Sequence, residues 1–300
     1  MTVEDPDRTA QEAQAAEGAQ FAFDFSMHSD TGTQRSNNED SCKQLVENAT
    51  TAIFAIADGV GGYEGGEVAS AMAVEVTLDA WRDTPISWTP AKRLYRAVQR
   101  ANIEIHNRAL AVPELRYMAS TLTAAAVVDG ILYISHVGDC RLYLIRHDRI
   151  KQLTKDHTVV AERVRLGTLT SARARKHPNR STLSRSLGRE LIVSIDRITM
   201  PLRQNDRLIL CSDGLYNVLD DRELEHLSRG LDAASACRIL IDNANQRGTA
   251  DNITAAVFLM NGSTPNSSRT TLPSIIARAF FSLINRKRPD RTPARIVSQV

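Results

Sequence analysis

Four aspartates stand where apolar runs begin or end. Asp58 closes Ala52-Ile53-Phe54-Ala55-Ile56-Ala57, and Asp139 follows Ile131-Leu132-Tyr133-Ile134-Ser135-His136-Val137-Gly138. Asp213 follows Arg207-Leu208-Ile209-Leu210-Cys211-Ser212, while Asp251 with Asn252 opens Ile253-Thr254-Ala255-Ala256-Val257-Phe258-Leu259. Short apolar runs bounded by turn residues read as strands, and carboxylates at strand ends can converge on one rim of a sheet. Clustered there, they repel one another and their pKa values rise unless a cation neutralises them. A ligand set made only of oxygen suits a hard ion, Mg2+ or Mn2+, better than zinc. Singly, each position is weak. Asp213-Gly214 and Gly138-Asp139 are ordinary turn formers, and Asp251-Asn252 before a strand is equally plain. The signal is that all four are placed alike.

Two loops add chemistry. Asp58-Gly59-Val60-Gly61-Gly62-Tyr63-Glu64-Gly65-Gly66 is a strand end, a glycine loop and the start of a helix. A dinucleotide-binding turn looks similar, but counting from Gly59 puts Glu64 where the last glycine of GxGxxG belongs, and no GxxxxGK[ST] occurs. Asp58 would also repel a phosphate unless a metal intervened. A metal-bearing loop, whose glycines let backbone carbonyls approach the ion, is therefore favoured over a purely structural turn. In Gly32 to Ser41, Arg35 precedes Glu39 by one helical turn's worth of sequence. A guanidinium fork there can hold a phosphate bidentately, and Glu39 can reach the cation directly or through water. A solvated polar loop with Asx turns is the plain alternative.

The elements that must position these residues follow from periodicity. Phe21 to Met27 alternates and starts the folded part. Glu67–Trp81 and Pro90–Leu110 have helical spacing, and Thr121–Asp129, Ile131–Val137 and Cys140–Ile145 are closely connected strands, which are most easily antiparallel. Thr158–Leu166 fits one short helix. Strands near Val193–Ile198 and Arg207–Ser212, helices near Asp221–Ser228 and Asp232–Gln246, and a last strand from Ile253 complete an α+β domain with helices covering sheet faces.

Composition sets the limits. The 300 residues are 42% hydrophobic and 24% charged, enough apolar content to bury a core. Residues 1–20 carry five acids against one arginine and are expected to be disordered, residues 21–260 form the domain, and residues 261–300 are a linker and a tail with seven bases against Asp290. The cysteines at 42, 140, 211 and 237 show no CxxC spacing, and Cys140 and Cys211, in or beside strand-like runs, read as reduced, buried thiols. With no secretory signal and no apolar run of membrane-spanning length, a cytoplasmic protein is expected.

These motifs resemble, in order and spacing, a known family: the metal-dependent protein serine/threonine phosphatases called PP2C, and their bacterial branch in particular. The resemblance runs from about Phe25 to Leu259. It includes Ser29-Asp30-Thr31-Gly32 with Arg35, Asn38-Glu39-Asp40, Ala57-Asp58-Gly59-Val60-Gly61-Gly62, Val137-Gly138-Asp139-Cys140-Arg141 and Leu153-Thr154-Lys155-Asp156-His157. Arg185-Ser186-Leu187-Gly188, Cys211-Ser212-Asp213-Gly214-Leu215 and Asp251-Asn252-Ile253-Thr254 continue it. The resemblance implies a four-layer α-β-β-α sandwich of two antiparallel sheets, with a binuclear Mn2+ or Mg2+ centre at one end and a third ion site beside it. It implies that Asp58 bridges both ions, that the Gly59 carbonyl binds one, and that Asp213 and Asp251 complete the other. Glu39 would hold water at the centre, Asp139 would serve the third site, and Arg35 would grip the substrate phosphate. The implied reaction is hydrolysis of phosphoserine or phosphothreonine on proteins, and a Ser/Thr kinase or its substrates are the expected partners. Two departures stand out: Tyr63 where many bacterial relatives have histidine, and Cys140 in place of the usual serine. A catalytically silent phosphoprotein-binding module and a hydrolase of small phosphate esters are the alternatives.

Thr168 to Gly188 would be the family's variable flap. It carries Arg173, Arg175, Lys176, His177, Arg180 and Arg185 and could attract acidic phosphorylated segments, or be only a solvated charged loop. It lacks aromatics for base stacking, so no nucleic acid is expected. Ser274 to Ile284 is apolar apart from a polar strip and precedes Arg286-Lys287-Arg288, so the tail could lie on an anionic membrane surface, dock on a partner, or simply pack on the domain.

Overall fold

The computed structural model describes residues 23–60 and 65–261. The acidic segment 1–20, Tyr63 and the basic tail, on which several expectations fall, lie outside the described residues.

Strand β3 (Thr51–Val60) shows why the chain folds as it does. Every residue from Thr51 to Ala57 is buried, yet the side chains divide by parity. Ile53, Ala55 and Ala57 face one apolar cluster, and Phe54 and Ile56 face another, as a period of two requires. A strand covered on both faces reads as a continuous apolar run rather than an alternating one. Strand β10 (Arg207–Cys211) does the same, with Leu208 and Leu210 on one side and Ile209 and Cys211 on the other.

Two antiparallel sheets result. The first has the order β1 (Phe23–Asp30), β11 (Ile253–Met260), β10, β7 (Arg141–Arg146), β8 (Arg149–Gln152). The second runs β2 (Asp40–Asn48), β3, β5 (Leu122–Val128), β6 (Ile131–Val137), β9 (Asp196–Pro201), with the short β4 (Ala119–Ser120) beside β3. Their inner faces meet in a core containing Phe54, Ile56, Leu132, Leu142, Leu210 and Phe258. Helices α1 (Gly65–Asp83) and α2 (Pro90–Ala111) cover the second sheet, with Trp81 and Leu94 fully buried. Helices α6 (Asp221–Ser228) and α7 (Ala233–Gln246) cover the first. This is the expected four-layer α-β-β-α sandwich.

Strands β2 and β8 are absent from the periodicity reading, and β9 starts later than the stretch near Val193 suggests. All three lie on sheet edges, where one-sided burial leaves polar residues such as Lys43, Gln44 and Lys151 in the strand. The flap contains a short helix, α4 (Ser171–Arg175), after α3 (Val159–Arg165), each capped by a threonine side chain, Thr170 and Thr158. Among the described residues, no helix is long and apolar enough to cross a membrane, and the four cysteines are free thiols.

Candidate metal centre

Antiparallel alternation gathers the carboxylates. Asp58 lies near the end of β3, and directly across the ladder stands Asp40, the first residue of β2. In the other sheet, the end of β10 is the point from which α5 (Asp213–Tyr216) departs. Cys211 there pairs with Arg141 at the start of β7 and Ala255 near the start of β11. Asp139 precedes β7 and Asp251 precedes β11, so both fall beside Asp213.

Side-chain hydrogen bonds lock the two sheets together at this rim. Asp40 Oδ2 accepts from Ser212 Oγ at 2.6 Å and from Thr254 Oγ1 at 2.7 Å. Asn252 Oδ1 accepts from the Glu39 N–H at 2.9 Å, while its Nδ2 donates to the carbonyls of Thr31 and Asn37. The backbone N–H of Asp58 donates to Thr121 Oγ1 at 2.8 Å. Asn217 donates to Asp213 Oδ2 at 3.0 Å. Tyr216, whose ring lies 3.6 Å under the Arg141 guanidinium, points its hydroxyl at Asp139 Oδ2, 3.4 Å away.

Two glycines make the close approaches possible. A Cβ on Gly59 would lie 2.0 Å from the Gly66 carbonyl oxygen, so the end of β3 can pack on the first turn of α1 only without a side chain. Gly138 has φ of 106°, a backbone shape that glycine adopts freely, and a Cβ there would meet Thr121 at 2.4 Å. His157 fixes that turn: its Nδ1 accepts from the Gly138 N–H at 3.0 Å, and its Nε2 faces Asp196 Oδ2 at 3.3 Å.

The electrostatics reflect the crowding. Burial, then the charges of Asp40, Asp213, Asp139 and Asp251, push the Asp58 carboxyl well above the usual carboxylate range. Burial and then Asp213 raise Asp139 to about 8. Asp213 is raised by burial and Asp251 against the opposing Asn217 hydrogen bond and the Arg35 and Arg180 charges. Asp40 is raised by burial against two hydroxyl donors, and Glu39 by burial against Arg35. A set of oxygen donors that disfavour one another's ionisation is one that divalent cations complete, so the residues present fit the implied ions.

Glu39, Asp58, Gly59, Asp139, Asp213 and Asp251 thus share one rim, as the sequence suggests. The fit is not a closed cage: among the described residues, no three His, Cys, Asp or Glu side chains are grouped tightly enough to hold an ion as they stand. Asp251 has another partner. Arg35 contacts both its oxygens at 2.9 Å and donates to the Ala250 carbonyl at 3.1 Å. Sequence reasoning left out Asp40, Asn252 as a strap, Tyr216 and His157. Asp40 and His157 both stand inside quoted motifs, the only signal that marked them. A cavity of about 350 Å³, lined by residues of α2 with Leu191, Ile192 and Val193, shares none of the rim residues.

An oxygen-rich rim beside an exposed arginine suits metal-assisted chemistry on phosphate esters. The comparisons agree. Residues 28–255 match the family described as Protein phosphatase 2C. A serine/threonine phosphatase stp from Listeria innocua is 36% identical over 239 residues, covering 78% of this chain and 95% of that one. Protein phosphatase PhpP of Streptococcus pneumoniae is 35% identical, covering 80% and 98%. The solved Mycobacterium tuberculosis serine/threonine phosphatase PstP/Ppp superposes with a TM-score of 0.73 at 33% identity, covering 80% of this chain and 99% of that one. A PstP catalytic domain in complex with two manganese ions gives a TM-score of 0.70 at 31% identity over 80% of this chain and 99% of that one. The chain belongs to the protein phosphatase 2C family of metal-dependent protein serine/threonine phosphatases.

Proposed function

We propose that this rim hydrolyses phosphoserine and phosphothreonine esters on proteins, with Asp58, the Gly59 carbonyl, Asp213 and Asp251 holding two Mn2+ or Mg2+ ions and Asp139 a third. The observation that carries it is the convergence of Asp58, Asp139, Asp213 and Asp251 from four separate strand ends, where burial and the neighbouring charges raise the pKa values of Asp58, Asp139 and Asp213. When bound, the ions supply the positive charge that lets these carboxyls ionise and that activates water near neutral pH.

The chain's own residues do the rest. Arg35 is held on the Asp251 carboxylate and the Ala250 carbonyl, which keeps the guanidinium at the rim and aimed while Asp251 would also serve an ion there. Arg35, with 45% of its side chain exposed, grips the phosphate oxygens and stabilises their charge as phosphorus is attacked in line. Glu39 orients the attacking water from its seat against the N-terminus of α1, where its carboxylate lies so near Gly66 that a Cβ there would be 2.8 Å from Oε1. The new bond joins the water oxygen to phosphorus, the bond to the serine or threonine oxygen breaks, and that oxygen leaves as a hydroxyl carrying a proton equivalent to the one the attacking water gives up. No covalent enzyme intermediate is involved. Ser212 is committed to Asp40, and burial pushes the thiols of Cys140 and Cys211 well up.

Arg35 and Asp251, 45% and 37% exposed at the mouth of the rim, favour a phosphorylated protein segment over a small enclosed ester, and a Ser/Thr kinase is a fitting partner. The test is phosphate release from a phosphothreonine peptide. Activity should vanish with chelator and return with Mn2+, whereas turnover insensitive to chelator rules the centre out.

A further inference from the structure

Beside the rim stands a surface lobe with a single sign of charge. Between Glu162 and Glu190 the chain has no acidic residue, while the bases accumulate. Arg163, Arg165, Arg173, Arg175, Lys176 and Arg180 are all exposed, and among the described residues none of them pairs with a carboxylate. Arg185 differs. Its guanidinium donates to Asp196 at 2.9 Å and reaches the Ser194 carbonyl, so it braces the flap and is not free to bind anything else.

The lobe is anchored at its base. Thr158 pairs with Leu183, Val159 N–H donates to the Thr182 carbonyl at 2.9 Å, and Ser184 N–H donates to the His157 carbonyl at 2.8 Å. Ser184 Oγ also donates to Glu162 Oε1 at 2.8 Å, and Leu187 exchanges backbone hydrogen bonds with Ser120, next to the Asp58 strand. The free cations therefore project from a base fixed to the catalytic rim. The charges of Arg180 and Arg35 both act on Asp213, holding its raised carboxyl down, so the flap lies within electrostatic reach of the rim. Unpaired exposed cations cost little in water, but close together they repel one another and gain from an anionic visitor.

Building on the phosphatase reading, we propose that the flap selects substrates: it docks protein segments in which the phosphorylated residue is flanked by acidic residues or further phosphates. Arg180 contacts the acidic position nearest the phosphate, and Arg173, Arg175 and Lys176 contact positions further along the segment. Because the contacts are exposed, the preference is carried by encounter and KM and fades with salt, whose Debye length is about 8 Å at physiological strength.

The experiment compares two phosphothreonine peptides that differ only in flanking Asp residues against Asn. Each is assayed with the full chain and Mn2+, at low and high salt, with wild type, the triple variant Arg173→Gln/Arg175→Gln/Lys176→Gln, and Arg180→Glu. Wild type should favour the acidic peptide by roughly tenfold in kcat/KM at low salt, mostly through KM. The ratio should fall toward one at high salt and in the triple variant, and invert in Arg180→Glu. The neutral peptide in each variant is the internal reference. Equal wild-type rates on the two peptides overturn the flap proposal alone, as does a preference that survives in both variants. Failure to release phosphate from either peptide overturns the phosphatase reading and this one with it. Inhibition by a short oligonucleotide matching that of a non-hydrolysable acidic peptide would make the lobe a general polyanion surface and also overturn the proposal.

Discussion

The rim and the flap use charge in opposite ways. At the rim, Asp40, Asp139 and Asp213 are less than a tenth exposed, each pinned by hydroxyl or amide donors, and like charges are forced together. On the flap, arginines and a lysine spread into solvent from helices of a few residues, with only the base tied down. Buried charges interact strongly and demand a counter-ion; exposed charges interact weakly and adjust to whatever approaches. On the proposed reading, the difference separates chemistry at the fixed, buried rim from substrate choice on the exposed flap.

The largest expected effect tests the rim. Asp58→Asn should lower turnover by roughly a thousandfold or more, because electrostatic stabilisation of the transition state is lost. With chelator present, the same variant should melt no lower than wild type, since removing one charge relieves its neighbours. A lower melting temperature would mean that Asp58 is structural, and the contrast with the flap would break.

Phe54 sits on the same strand and is buried between the sheets, 5.0 Å from the Phe25 ring and 5.8 Å from that of Phe258. Phe54→Ala should cost about 3–5 kcal/mol, read by denaturant unfolding. A loss near zero would show that the strand is not the support the rim depends on.

The next prediction concerns pH. Asp40, Asp58, Asp139 and Asp213 have folded pKa values raised above their unfolded values near 4. The folded state then binds more protons than the unfolded state between those limits, so its stability falls as pH rises. In chelator, the melting temperature should decline from about pH 5 toward 8, through the range set by Asp139 at about 8. Mn2+ should remove the slope. A flat profile without metal would mean that the carboxylates do not crowd one another.

The smallest effect belongs to the flap's brace. The Arg185–Asp196 pair is about a third exposed on each side, so Arg185→Gln should cost under about 1 kcal/mol. Its value lies elsewhere: it should raise KM for an acidic phosphopeptide while leaving the melting curve almost unmoved. A large stability loss would make the flap part of the folded core and erase the distinction.

Much of this was legible in the residue order. The four aspartates at run ends, the runs buried on both faces and the Gly59 loop all stand out, because strand burial and turn chemistry are local. Edge strands β2 and β8 did not, since strands with one wet face keep no apolar run. Asp40 stands in Asn38-Glu39-Asp40, but its local sequence gives it no role, because its partners Ser212 and Thr254 lie 172 and 214 positions away. The hold of Arg35 on Asp251 spans 216 positions and was equally hidden.

The sequence by itself determined which residues could serve as hard oxygen ligands, and that they sit where strands stop. Only the tertiary structure decided that these ends meet, with Asp40 tied across the two sheets and Arg35 held on Asp251. The reason is physical: a carboxyl's burial and its charged neighbours come from antiparallel pairing between distant segments, and no local spacing encodes them.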